Sequence, residues 1–172
     1  MMTKIRKNEN KGINMEVKLF PIKSYKGVGQ LKLGMKRERI RSLLGKFTSF
    51  MKAPTDKIPT DAFDDDGIHI YYQKPDKCEA IELFQPASPT FRGRRLIGRP
   101  YKEVKHWIVT IDPNLREDGA GFVSETLGFG VYSSSAVKEP ENPIESVIVF
   151  RRGYYGISNY KKIKTIYDKN KK

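Results

Sequence analysis

Cysteine and histidine are almost missing from this chain of 172 residues, which holds only Cys78, His69 and His106. One cysteine excludes an internal disulfide and a cysteine-rich zinc site. Two histidines leave little material for a hydrolytic triad or a histidine-ligated metal. Apolar runs are short, and none approaches the roughly 18 residues of a membrane-spanning helix. The opening segment MMTKIRKNENKGIN has no apolar stretch of the kind a secretory signal needs, so the expectation is a cytoplasmic protein with no membrane association. Cofactor fingerprints are missing too. GVGQLK (27–32) puts Lys32 where the last glycine of a dinucleotide loop belongs, and the acidic run Asp64–Asp66 lacks the alternating spacing of a calcium loop. The stretch DPNLREDG (112–119) fails the same test, with Arg116 at a ligand position. No catalytic residue, metal or cofactor is expected.

Positive charge is abundant. The net charge is +13, from 33 basic and 20 acidic residues. Its distribution is uneven. Residues 1–14 set Lys4, Arg6, Lys7 and Lys11 against Glu9, and residues 160–172 set six lysines against Asp168. The two ends therefore hold +8, and the body from Met15 to Asn159 holds only +5. Residues 1–14 read as a disordered basic arm, 15–159 as one α+β domain, and 160–172 as a basic tail.

Within the body, Met15, Val17 and Leu19 alternate with polar residues up to Pro21, which predicts a strand. Ile40, Leu43 and Leu44 fall on one helical face before Gly45, which predicts a helix over 35–44. Residues 46–66, with Pro54, Pro59, Asp61 and Asp64–Asp66, read as a long surface loop. GIHIYYQ (67–73) and CEAIELF (78–84) read as a hairpin of strands. A second helix is predicted over 96–111, with Val104, Trp107, Ile108 and Ile111 inward and Trp107 mostly buried. Strands over 122–132 and 144–150 follow, with loops at 112–121 and 133–143. Offsets of 64, 61 and 66 residues superimpose three blocks in the same order, which predicts two α-β-β repeats at 28–84 and 96–150. The expected fold is an α+β two-layer sandwich, a mostly antiparallel sheet with helices on one face. The other face of such a sheet stays partly solvated, and it is where Tyr71, His69 and Tyr132 are expected.

His69 reads as a cross-strand polar contact, His106 as a partly exposed helix residue and Cys78 as a buried strand thiol. Carboxylates such as Asp66, Glu82 and Glu125 allow an enzyme in principle, but no spacing selects a pair. Two basic patches stand out: Arg92, Arg94, Arg95 and Arg99 before the second helix, and Arg151 and Arg152 beside Tyr154 and Tyr155 in RRGYYG. They admit a nucleic-acid partner as the alternative reading.

The stretch Gly27–Gly45, centred on LKLGMKRERIRSLLG, resembles small bacterial α+β repeat proteins in which a glycine–methionine pair opens a helix that closes on Leu-Leu-Gly. It is similar to the helix start of β-lactamase inhibitor proteins and of small lipoproteins of the outer-membrane assembly machine. The longer body, from GIHIYYQ through KCEAIELFQPA, GRPYKEVKHW and LGFGVY to IESVIVFRRGYY, resembles immunity proteins found beside bacterial polymorphic or contact-dependent toxins. This resemblance spans about residues 16–155. It implies a protein, monomeric when free, that binds and blocks a cognate toxin. The expected contact residues are Tyr71, Tyr72, Tyr132, Tyr154 and Tyr155 as anchors, with Asp64, Asp65, Asp66, Glu117 and Asp118 facing a basic partner.

Overall fold

Alternation decides the longest strands. In IHIYYQ, Ile68 and Ile70 are fully buried while His69 is half-exposed, and in CEAIELF the buried Ile81 and Leu83 flank the half-exposed Glu82. The computed structural model describes residues 18–156. The arm at 1–14, the strand start at Met15 and the tail at 160–172 lie outside the described residues. Among the described residues the structure is mixed, with more strand than helix and two α-helices. It runs β1 (Leu19–Lys23), β2 (Gly27–Val28), β3 (Leu31–Lys32), α1 (Arg37–Leu44), β4 (Thr48–Phe50), β5 (Thr60–Phe63), β6 (Ile68–Gln73) and β7 (Lys77–Phe84). It continues with β8 (Ser88–Phe91), β9 (Arg94–Arg95), α2 (Tyr101–Val109), β10 (Arg116–Asp118), β11 (Gly121–Ser124), β12 (Phe129–Tyr132) and β13 (Ser146–Phe150).

The strands form two sheets. An antiparallel eight-stranded sheet has the order β10-β11-β12-β13-β7-β6-β5-β4, and a five-stranded sheet has the order β3-β2-β1-β8-β9. The helix residues Ile40, Tyr101, Val104 and Ile108 all belong to one core cluster, together with Ile68, Ile70, Ile81, Leu83, Val147 and Val149 from the large sheet. Phe20, Val28, Leu31 and Phe91 of the small sheet fill the same cluster. A second cluster, Tyr71, Ala80 and Phe150 with Tyr154 and Tyr155 against it, contains no helical residue.

The start of each helix is tied by the same kind of bonds to the chain at or just before a strand of the large sheet. The Gly34 amide donates to the Cys78 carbonyl at 2.7 Å, and the Gly98 amide to that of Ile144 at 2.8 Å. The Arg37 amide reaches the Asp76 carbonyl at 3.0 Å, and the Tyr101 amide that of Asn142 at 2.9 Å. The turns before β6 and β12 end on Gly67 and Gly128, with φ of +68° and +73°. A Cβ at Gly67 would lie 2.2 Å from the Phe84 carbonyl oxygen, so glycine is required there by contact as well as by dihedral.

Several expectations change. The region 46–66 is no plain loop: it carries β4 and β5, and Asp61, read as part of a surface acidic cluster, is wholly buried. All four residues of β5 are buried, so alternation could not reveal it. Pro21 lies inside β1, not at its end; β1 pairs in parallel with β8, and the Pro21 carbonyl accepts from the Gly29 amide. The small sheet was not anticipated, because β2, β3 and β9 are two residues each and too short for periodicity. α2 spans 101–109 within the predicted 96–111. Trp107 is half-buried instead of mostly buried, with its ring 5.9 Å from Phe91 and the Arg94 guanidinium 4.6 Å above it.

Candidate functional site: the open face of the large sheet

The strand registers bring one set of side chains to the face away from the helices. His69 pairs with Glu82 and Tyr71 with Ala80 across β6 and β7, and a bulge at Tyr71/Tyr72 leaves Glu79 unpaired. Glu82 pairs with Ile148, and Phe84 with Ser146, across β7 and β13. Tyr132 pairs with Ser146, and Gly130 with Ile148, across β12 and β13. Alternation thus gathers His69, Tyr71, Glu82, Phe84, Tyr132, Ser146 and Ile148 on one surface.

Glu82 sits near the middle of that surface. One of its oxygens accepts from the Tyr71 hydroxyl, and the other from Ser146 Oγ at 3.1 Å. Burial and the bond to Glu82 push the Tyr71 hydroxyl well above the usual tyrosine range. Tyr71 itself is only 7 % exposed, and the Lys52 ammonium lies 4.5 Å over its ring. Towards one end the face is covered by the chain's own RRGYYG segment. Tyr154 stacks on Phe150 at 5.9 Å, and Tyr155 meets Phe150 edge-on at 5.0 Å. Arg151 bonds Glu79 at 3.2 Å, and Arg152 lies 4.0 Å over the Tyr25 ring.

Elsewhere the face is open. Tyr132 is 45 % exposed and Phe50, on the edge strand β4, is 38 % exposed. The His69 ring lies between Phe50 at 5.4 Å and Phe84 at 4.7 Å, with Nε2 3.1 Å from Asp64 Oδ1. Beside His69 and Tyr132 lies a cleft of about 760 Å³ lined by His69, Glu82, Phe84, Tyr132, Glu145 and Ser146 among others. The Ser134 amide donates to Glu145 at 2.8 Å, and the hydrogen bonding from Ser134 holds that carboxyl below its ordinary range.

The other sequence candidates scatter. Tyr72 points to the helix side, is buried, and donates to Asp61 at 3.0 Å. Glu117 accepts from Tyr101 at 2.8 Å and Lys105 at 2.6 Å, so it braces α2. Burial opposes its charge, but those two bonds lower its pKa overall. Asp118 is exposed at the sheet edge and accepts the Ala120 amide at 2.8 Å. Asp64, Asp65 and Asp66 form the turn between β5 and β6, facing His69, Lys46 at 3.6 Å and Lys18 at 3.9 Å. Arg92, Arg94 and Arg95 belong to the β8–β9 hairpin, and Arg99 pairs with Glu103 on α2. Among these candidates, the open face brings together Tyr71, Tyr132, Tyr154 and Tyr155.

Sequence reasoning treated Glu82 as an ordinary carboxylate and passed over Glu145 and Ser146. The signal for Glu82 was present in the alternation of CEAIELF, which sets it opposite in direction to Ile81 and Leu83. Chemically, the face offers contact area and hydrogen bonds. Among the described residues, no three of His, Cys, Asp and Glu gather as metal ligands. The Cys78 thiol is buried and pushed up to about 12, which leaves it a poor nucleophile. Comparison with known protein families, curated proteins and solved structures finds no match.

Proposed function

We propose that this chain is a non-enzymatic inhibitor of the immunity type, which neutralises a cognate bacterial toxin domain by stoichiometric binding through the open face of the large sheet. The observation that carries the reading is that face. Both helices pack into the other cluster, while this surface keeps aromatic side chains around a solvent-open cleft. Exposed aromatics set in a rigid sheet are what interface anchors are made of, since they bring large contact area at low entropic cost.

The same proposal reads the architecture as a two-layer sandwich built from two repeated units that meet at β7 and β13. Support comes from register. The pairs Ile68–Leu83, His69–Glu82 and Ile70–Ile81 recur as Phe129–Val149, Gly130–Ile148 and Val131–Val147. The shifts are 61 and 66 residues, as the sequence blocks require. The β2–β3 hairpin recurs as β8–β9, so the units extend to about 27–84 and 90–150. Under the 66-residue shift, Phe84–Ser146 and Ala80–Phe150 exchange, and Glu82–Ile148 maps onto itself at the centre. Doubling a four-strand unit in this way makes a face broad enough for a protein partner.

A nucleic-acid partner draws less support from the geometry. The RRGYYG rings lie on Phe150, and Arg151 is held by Glu79. The test is calorimetric titration with the purified product of the adjacent gene. One-to-one saturation is expected, with Tyr132→Ala weakening it at least tenfold and reversal of Arg92, Arg94 and Arg95 leaving it unchanged. Absence of any complex, with micromolar nucleic-acid binding that survives removal of 1–14 and 160–172, would replace this reading with the alternative.

A further inference from the structure

We infer that the cleft over the paired ends of β7 and β13 receives an arginine side chain projecting from the protein partner, an inference that rests on the proposed function and adds the partner's chemistry to it. The first support is charge. The protein carries +13 overall, yet the charged residues lining this cleft are Glu82 and Glu145, and no lysine or arginine lines it among the described residues. A cleft of one sign on a surface of the other attracts its counter-charge locally.

The second support is the state of Glu82. Its two oxygens accept from the neutral hydroxyls of Tyr71 and Ser146, and it forms no ion pair among the described residues. The hydroxyls orient the carboxylate without neutralising it. A carboxylate so held still has lone pairs for a fork-shaped donor, and a guanidinium meets it with two parallel N–H bonds. Glu145, held by the Ser134 amide, is the second acceptor at the cleft wall.

The third support is the walls. Phe84, Tyr132 and His69 present ring faces and edges beside the carboxylates. A flat, weakly hydrated guanidinium stacks on such rings, whereas an ammonium is a compact and strongly hydrated charge. His69, Glu82 and Glu145 all line the cleft, but among the described residues no three such groups converge as a metal site, which makes a metal cation a poor fit. One projecting arginine satisfies both carboxylates' surroundings and the aromatic walls together.

The test uses the full chain, amide-resolved NMR and two probes, acetyl-Gly-Arg-Gly-amide and acetyl-Gly-Gln-Gly-amide. The arginine peptide is expected to give saturable shifts at Glu82, Phe84, Tyr132 and Ser146 in the millimolar range, and the glutamine peptide none. Glu82→Gln keeps the side chain's size and one acceptor oxygen, while its NH2 donates to the second hydroxyl in place of accepting from it, and it should abolish saturation. Tyr132→Ala, an exposed position, should weaken it several-fold. Equal shifts from both peptides, no shifts, or an unchanged response in Glu82→Gln overturns the inference. Failure of the wider reading looks different. If the partner protein binds wild type and Glu82→Gln equally, only the arginine site falls; if no partner protein binds, the function falls and the peptide result stands alone.

Discussion

Two places with matching strand register are filled by charge in one and by aromatic rings in the other. Arg37 opens α1, and its guanidinium donates to Asp61 on β5 at 3.2 Å while lying 4.0 Å over the Tyr72 ring. Tyr101 opens α2 with the matching backbone bond, and its ring lies 6.0 Å from Phe122 on β11. Asp61 pairs with Ile70 as Phe122 pairs with Val131. Asp61 is wholly buried because donors converge on it: Arg41 through two bonds of 2.8 Å, Ser49 at 2.7 Å and Tyr72 at 3.0 Å, besides Arg37. In the second half the ionic contact moves out to the rim, where Lys105 meets Glu117. The same strand register and the same backbone bond at the helix start therefore accept either solution, provided that every buried polar group finds partners.

The sharpest way to break this comparison is to remove the charge in one half and a ring in the other. Asp61→Ala leaves Arg37 and Tyr72 facing a hole, and such a loss costs about 3–5 kcal/mol. Phe122→Ala should cost a similar amount, about 3–5 kcal/mol, through its cavity. Chemical denaturation measures both. The two should differ in coupling. Arg37→Met combined with Asp61→Ala should be less destabilised than the sum of the singles, by about 0.5–3 kcal/mol.

Acid separates the halves next. Burial alone would raise the Asp61 pKa, but hydrogen bonds from Arg41, Ser49 and Tyr72 and the Arg41 charge bring it below the ordinary range. A depressed carboxyl contributes its stability in full above the unfolded value of about 3.9, and loses it as pH falls through the lower folded value. Melting temperature should drop steeply below about pH 4 in wild type and less steeply in Asp61→Asn, from a lower start. Equal slopes would show that the network contributes little.

Smaller changes refine the second half. Tyr101→Phe removes one bond to Glu117, which keeps Lys105, so about 0.5–1.5 kcal/mol is expected. Trp107→Ala should cost about 1–2 kcal/mol, well below Phe122→Ala, because the ring is half-buried against Phe91 and Arg94. A Trp107 cost equal to that of Phe122 would mean that the ring packs as a full core residue.

Much of the large sheet was legible in the sequence. Strands such as IHIYYQ and CEAIELF alternate over enough residues to reveal their two faces, and Ile40, Val104 and Ile108 mark the helix stripes that the core uses. The region 46–66 was illegible because β5 is buried on both sides and its Asp61 reads as a surface residue until Arg37 and Arg41 are seen beside it. Tyr71 and Tyr72 look alike in sequence, yet adjacent strand positions face opposite ways, and only one reaches the open face. Glu82 was visible as an outward strand residue, but its hydroxyl partners Tyr71 and Ser146 come from β6 and β13, through contacts that no single segment reports.

The open face as a docking surface is tested most directly by hydrogen exchange of this chain with and without the purified product of the adjacent gene. Slowed exchange over 68–73, 80–84, 129–132 and 144–148, with the β8–β9 hairpin unchanged, is the predicted footprint. Protection confined to the β8–β9 hairpin and the charged surface of α2, with the sheet face exchanging as in the free protein, would contradict it.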